Sequence, residues 1–170
     1  IEDPRDKAAI DYSYNFLRKS LKEIKNKDHL VEVLDKLGEI WEYDLLFDFD
    51  GEIVKGTCSV FAGFLSKILR RFGLKSHYAR TLVYMNQKQG GKLRFGGMSG
   101  DYYMSHGVTV VKLGNKYHIL DPAVAVTTGY GDKDFIREFC VCKLSSHPLK
   151  YYFRYPLGYG SNLLDSKLEP

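Results

Sequence analysis

Gly56-Thr57-Cys58-Ser59-Val60-Phe61-Ala62-Gly63-Phe64-Leu65-Ser66-Lys67-Ile68-Leu69-Arg70-Arg71-Phe72-Gly73 (residues 56–73) is the stretch whose reading decides the fold. Phe61, Phe64, Leu65, Ile68, Leu69 and Phe72 recur at helical spacing and make one broad apolar face. Arg70 and Arg71 stand in the last turn, where they complement the helix dipole, and Gly73 supplies the residue just past the end. The pattern predicts a helix over 58–72 with a cysteine in its first turn. A thiol there feels the positive end of the dipole and faces free backbone N–H groups, so the thiolate is favoured. The same N–H groups can hold an oxyanion. The alternative reading is a buried small hydrophobe, and position alone does not choose between the two.

Working upstream, Asp3-Pro4 reads as an N-cap followed by proline at the first helical position, and Ile10, Tyr14, Leu17, Leu21 and Ile24 predict a helix over 4–26. Asp28 is expected to cap a second helix whose apolar stripe runs Leu30, Val33, Leu34, Leu37, Ile40 and Trp41. Tyr43 to Lys55, around the Asp50-Gly51 turn signal, reads as loop.

Downstream, 74–84 alternates like a strand. Residues 86–105 carry five glycines together with Leu93, Phe95, Met98, Tyr102, Tyr103 and Met104. A segment this long and this apolar reads as a lid or a surface loop. Strands come next over 106–113 and 116–121, joined by Gly114-Asn115, a two-residue hairpin signal. Further strands are expected near 139–144 and 150–155, the first with Cys140 and Cys142 on one face as packing residues. The fold class implied is α+β, with residues 1–170 as a single domain. Because the chain opens at Ile1 rather than Met, we expect it to be a piece of a longer protein, trimmed of a leader or a neighbouring domain.

At 170 residues the chain is long enough to bury a core without staples. Its 44% hydrophobic and 27% charged residues are those of a folded domain rather than a disordered chain. The net charge of +4 is spread along the chain with no run longer than Arg70-Arg71, which argues against nucleic acid as a partner. No stretch approaches the length of a membrane span. Three cysteines make no disulfide framework, and Cys140-Val141-Cys142 has neither redox nor zinc spacing. Compartment stays open, and no cofactor or metal is called for.

A cysteine nucleophile needs a base, and the base needs an orienting group. With Gly114-Asn115 as the turn, Leu113 lies opposite Lys116, Val110 opposite Ile119, Val108 opposite Asp121 and His106 opposite Ala123. His106 and Asp121 become diagonal neighbours on one face, within reach of each other. His118 projects from the other face. Singly, His106 reads as a strand-end surface histidine and Asp121 as a turn residue before Pro122; their joint placement favours function.

On these residues the sequence resembles the transglutaminase-like branch of the papain-type superfamily, in the bacterial cysteine-peptidase style. The Gly56-Thr57-Cys58 helix running to Leu69-Arg70-Arg71-Phe72-Gly73-Leu74 is similar to its cysteine helix. Ser105-His106-Gly107-Val108-Thr109-Val110 and Leu120-Asp121-Pro122 are similar to its histidine and Asp-Pro strands. Tyr43-Asp44 is similar to a dipeptide that often precedes the cysteine motif. The resemblance spans about 40–125. It implies a papain-like core in which helices carrying Cys58 pack on an antiparallel sheet carrying His106 and Asp121. Cys58 would be the nucleophile, His106 the general base and acid, and Asp121 the orienter.

The implied activity is acyl transfer at an amide of a protein or peptide through a thioester. Proteolysis comes first, glutamine transamidation or deamidation second and arylamine N-acetylation third; a non-catalytic binding module is the non-enzyme reading. The Cys58-to-His106 interval is long for compact members, with 86–105 as the insertion, and Ala123 stands where threonine is frequent. Trp41 invites comparison with an oxyanion-donating indole, but a plain core role outweighs it.

Overall fold

The computed structural model describes residues 3–85, 102–142 and 150–153, with side chains over 3–80 and 106–141. Helix α1 (Pro4–Arg18) begins as expected, with the Asp3 carboxylate accepting the Arg5 N–H at 2.7 Å. It stops well before residue 26. Leu21 and Ile24 are buried as their spacing suggested, but in a non-helical turn whose Lys22 carbonyl is taken by the Arg18 guanidinium. Helix α2 (Lys27–Leu37) is capped by Asn26, whose side chain accepts the His29 N–H at 2.9 Å. Asp28, the expected cap, sits inside the first turn. Both residue types cap well; Asn26 takes the role because its backbone is extended. Leu30, Val33, Leu34 and Leu37 are buried along one stripe, and the helix closes at Gly38, so Ile40 and Trp41 lie beyond it.

The expected loop 43–55 contains a small sheet: β1 (Trp41–Tyr43), β2 (Asp48–Phe49) and β3 (Val54–Gly56), in the order β1-β3-β2. Strands of two or three residues carry no alternation to read, and the β1–β3 pair is parallel, which no local turn announces. Then comes α3 (Cys58–Arg71), followed by Gly73 with φ +88°, the left-handed residue the sequence reserves for it.

The main sheet is β4 (Ser76–Met85), β5 (Tyr102–Leu113), β6 (Lys116–Leu120), β7 (Val141–Cys142) and β8 (Lys150–Phe153), all neighbours antiparallel in the order β7-β6-β5-β4-β8. The β5–β6 register is the expected one from Leu113 opposite Lys116 down to Thr109 opposite Leu120. There β6 ends. Asp121 and Pro122 open helix α4 (Pro122–Thr127), so neither the Val108–Asp121 nor the His106–Ala123 strand pairing exists. After a one-turn helix α5 (Lys133–Phe135), a π-helical turn Ile136–Cys140 leads into β7. Cys140 thus ends that turn rather than sharing a strand face with Cys142. The extension of β5 back to Tyr102 takes residues 102–105 out of the expected insertion; its remainder, 86–101, lies outside the described residues. No helix among the described residues is long and apolar enough to cross a membrane.

Helix α3 is the centre of the packing, with α1 on one side and β4 and β5 on the other. Phe61, Leu65, Ile68 and Leu69 have no exposed surface, and the Trp41 indole stacks on Phe61 at 4.7 Å between centroids and 17° between planes. Replacing Phe61 by Ala removes the ring under Trp41 and should cost about 3–5 kcal/mol of unfolding free energy. Leu45→Ser, at an exposed position, should stay within about 0.5 kcal/mol of the parent. Urea denaturation of both variants checks this, and a Phe61→Ala loss as small as that of Leu45→Ser would misplace the core.

Candidate active site

Cys58 is the first residue of α3, behind Thr57 in extended conformation at the N-cap. The Thr57 side chain makes no capping bond, so it does not take the first-turn amides. The start of α3 lies directly against β5. A Cβ on Gly107 would meet the Tyr78 ring at 3.0 Å, the Ser59 Cα at 3.1 Å and the Cys58 carbonyl oxygen at 3.3 Å. Two of these three neighbours are backbone, so glycine is what permits the approach. The β6 ladder stops at Thr109, so Gly107 lies beyond its end, and the Gly107 N–H donates to the Cys58 sulfur.

His106, the residue before Gly107, is 1% exposed, as is Asp121. Its Nε2 stands 2.7 Å from Asp121 Oδ2, and its ring also hydrogen-bonds the Cys58 thiol. The structure therefore brings together Cys58, His106 and Asp121, in that order of contact. Asp121 reaches His106 as the N-cap of α4 rather than across a strand pair. Its Oδ1 accepts the Val124 N–H at 3.2 Å, and its own N–H donates to the Cys140 carbonyl at 3.0 Å. His118 is opposite Val111 in the ladder, on the other sheet face from His106.

Electrostatics are set by these contacts. Burial works to lower the His106 pKa, but the Asp121 charge and hydrogen bond, with the Cys58 contact, raise it from 6.5 to about 10. Burial works to raise the Cys58 thiol, but the hydrogen bond and charge of His106 and the Gly107 N–H bring it below the ordinary 9.0. Both shifts act toward a thiolate beside an imidazolium.

The Trp41 indole N–H donates to Ser13 Oγ at 2.9 Å inside the core, so Trp41 is not an oxyanion donor. Tyr43 pairs in parallel with Gly56, and its hydroxyl is pushed up by burial and by the charge of Cys58. In the sequence Tyr43 stands out only through the family resemblance; the parallel β1–β3 pairing that brings it near the thiol has no local signal. Among the described residues no group of three His, Cys, Asp or Glu side chains could hold a metal ion.

Because the His106 pKa lies above 6.5 in the fold, its stabilising contribution is complete below pH 6.5 and is lost as pH rises through about 10. The lowered Cys58 pKa works the other way: its contribution is complete above the ordinary 9.0 and fades as pH falls through the lowered folded value. Iodoacetamide at pH 6 should therefore alkylate Cys58 at least about tenfold faster than Cys140, and His106→Ala should remove that advantage. His118→Ala should leave the labelling rate near the parent's and act on stability. Mass spectrometry of the labelled thiols reads the result; equal rates at Cys58 and Cys140 would refute the thiolate assignment. Gly107→Ala, which pushes α3 from β5, should slow Cys58 labelling without touching either partner's side chain.

No family model matches the sequence, and no curated protein matches it. Among solved structures, the chain is similar to the crystal structure of a TGase, with 16% identity over 79% of this chain and a TM-score of 0.51. It is also similar to a candidate cysteine protease from Cytophaga hutchinsonii, with 12% identity over 89% of the chain and a TM-score of 0.43. The matches cover 36% and 44% of those proteins, so this chain spans less than half of either. The α+β arrangement, with a cysteine helix packed on an antiparallel sheet, is a transglutaminase-like fold.

Proposed function

We propose that the protein is a cysteine-nucleophile acyl-transfer enzyme that cleaves amide bonds of a protein or peptide through a thioester, with water as the acceptor, and that residues 1–170 form one catalytic domain. The observation that carries the reading is the contact chain in which one buried imidazole hydrogen-bonds the thiol at a helix start and, at 2.7 Å, a buried carboxylate. In this reading the Cys58 thiolate attacks the amide carbonyl carbon, and the C=O π electrons move onto oxygen. First-turn amides of α3 lie at the helix end where that negative charge is stabilised. As the tetrahedral centre collapses, His106 gives its proton to the leaving nitrogen, the C–N bond breaks, and the acyl group remains on sulfur. Neutral His106 then takes a proton from water, which attacks the thioester and releases a carboxylic acid and the thiolate. Asp121 holds the ring in one orientation and stabilises its charged form.

The test is turnover of a denatured protein substrate, followed by new amino termini, together with trapping of the acyl-enzyme by acid quench and intact mass. The parent should cleave and Cys58→Ala should not, while Asp121→Asn should lose at least about two orders of magnitude in kcat with KM little changed. Turnover should also fall as pH passes about 10, where His106 loses the proton the leaving amine needs. Amine incorporation or ammonia release from glutamine with no new termini would shift the acceptor and substrate while keeping the thioester. An inert Cys58 with a folded protein would leave a binding module.

A further inference from the structure

We propose that Tyr43 is a further catalytic residue, whose phenol hydroxyl donates a hydrogen bond to the substrate carbonyl oxygen as the Cys58 sulfur attacks. The proposal rests on the acyl-transfer reading above and adds a side-chain donor to the first-turn amides of α3. Parallel pairing sets Tyr43 opposite Gly56, two residues before Cys58, and the Asp44 N–H donates to the Gly56 carbonyl at 2.9 Å. The end of β1 is thereby tied to the segment that enters α3. Side chains two apart on a strand share a face, so Tyr43 points to the same side as Trp41. Trp41 lies against α3, its ring 4.7 Å from Phe61 and 6.5 Å from Phe64 between centroids. Partners across a ladder also project to one side, and a Cβ on Gly56 would meet Val60 of α3 at 2.7 Å. Along the strand and across it, the neighbours of Tyr43 aim its ring at α3. With Trp41 packed on Phe61, the part left to Tyr43 is the helix start that carries Cys58.

The phenol also lies on the flank of the sulfur opposite the base. With 3.6 residues per turn, Ser59 and Ala62, which meet β5, lie on one side of α3. Val60, Phe61 and Phe64, which meet β1 and β3, lie on the other. His106 therefore reaches the thiol from the β5 flank and Tyr43 approaches from the β1 flank. An attacked amide needs its nitrogen toward the acid that protonates it, and its oxygen toward hydrogen-bond donors on the far side. An imidazole and a phenol on opposite flanks of one sulfur supply both.

Its chemical state suits a donor. Burial and the charge of Cys58 raise the Tyr43 hydroxyl above the ordinary 10.0, so it keeps its proton. Among the described residues that hydroxyl has no hydrogen-bond partner, and Tyr43 and Cys58 both keep surface open to an entering chain. As the S–C bond forms, the C=O π electrons move onto oxygen, and the Tyr43 O–H shares its proton with that oxygen without giving it up. Collapse of the tetrahedral centre restores the carbonyl and expels the leaving nitrogen, which takes its proton from His106.

The test is acetylation of the full chain by p-nitrophenyl acetate, whose leaving group departs without a proton, so that the rate reports sulfur attack and oxyanion stabilisation. Stopped flow follows nitrophenolate release, with Cys58→Ala as the blank. Iodoacetamide alkylation is the control, because displacement at its saturated carbon forms no oxyanion. Tyr43→Phe keeps the ring and removes only the hydroxyl. It should slow acetylation at least about tenfold while alkylation stays within about twofold of the parent. Equal acetylation of parent and variant would overturn the proposal. So would an equal loss of alkylation, which would make the phenol a support of the thiolate, and so would a parent Cys58 that alkylates but takes no acetyl group. Cleavage of the denatured protein separates the two claims. A parent that cleaves, with Tyr43→Phe acetylated at the parent rate, loses the Tyr43 role alone. A parent that does not cleave, yet shows the Tyr43 dependence, loses amide hydrolysis and keeps the phenol as oxyanion donor.

Discussion

The 2.7 Å contact between the Asp121 carboxylate and His106, with both residues 1% exposed, is the constraint on which the arrangement of this protein turns. Neither group can be taken out of water alone without a large penalty, and together they are tolerated only when their remaining hydrogen-bonding capacity is met. Asp121 meets it from three directions: a carboxylate oxygen on His106, the other on the Val124 amide, and its own N–H on the Cys140 carbonyl. One residue thereby locks the end of β6, the start of α4, the π-helical turn before β7 and the middle of β5. Such an anchor defines the geometry of four elements at once, which hydrophobic contact alone would leave adjustable.

The second constraint is the distance between α3 and β5. Thr109 Oγ1 donates to the Ala62 carbonyl at 2.8 Å further along the same contact, so the helix backbone touches the strand at two levels. Gly107 makes the upper level possible by having no side chain, and the thiol is then brought to the imidazole of the preceding residue. Trp41 and Phe61 hold the first turn of α3 from the opposite side, with the indole N–H satisfied by Ser13 on α1. The helix start is therefore clamped between a ring stack and a strand, and the fixed position of the Cys58 thiol is a consequence of core packing.

The face of α3 that carries Ser59, Gly63, Lys67 and Arg70 contrasts with its apolar face. The apolar residues explain why the helix exists and where it packs; within the polar stripe Arg70 complements the dipole in the last turn, whereas Gly63 works against helix propensity. A conflict of this kind between local preference and observed residue is what function commonly leaves in a sequence.

By itself, the sequence determined the elements whose signals are local. The α3 periodicity with Cys58 at its start and Gly73 at its end, the Gly114-Asn115 hairpin and its register to Leu120, and the basic, unclustered charge could all be read in order along the chain. Asp121-Pro122 carried the same signature as Asp3-Pro4, an N-cap with proline at the first helical position, yet strand alternation up to Leu120 masked it. Tertiary structure decided what depends on distant partners. It ended α1 at Arg18 although apolar spacing ran on, and it paired β1 with β3 in parallel. It gave the Trp41 indole to Ser13, and it set Tyr43 and the Arg80–Ser59–Tyr78 contacts near Cys58. Short-range dihedral and periodicity preferences act within a few residues, whereas burial and hydrogen-bond satisfaction are resolved only when the whole chain is packed.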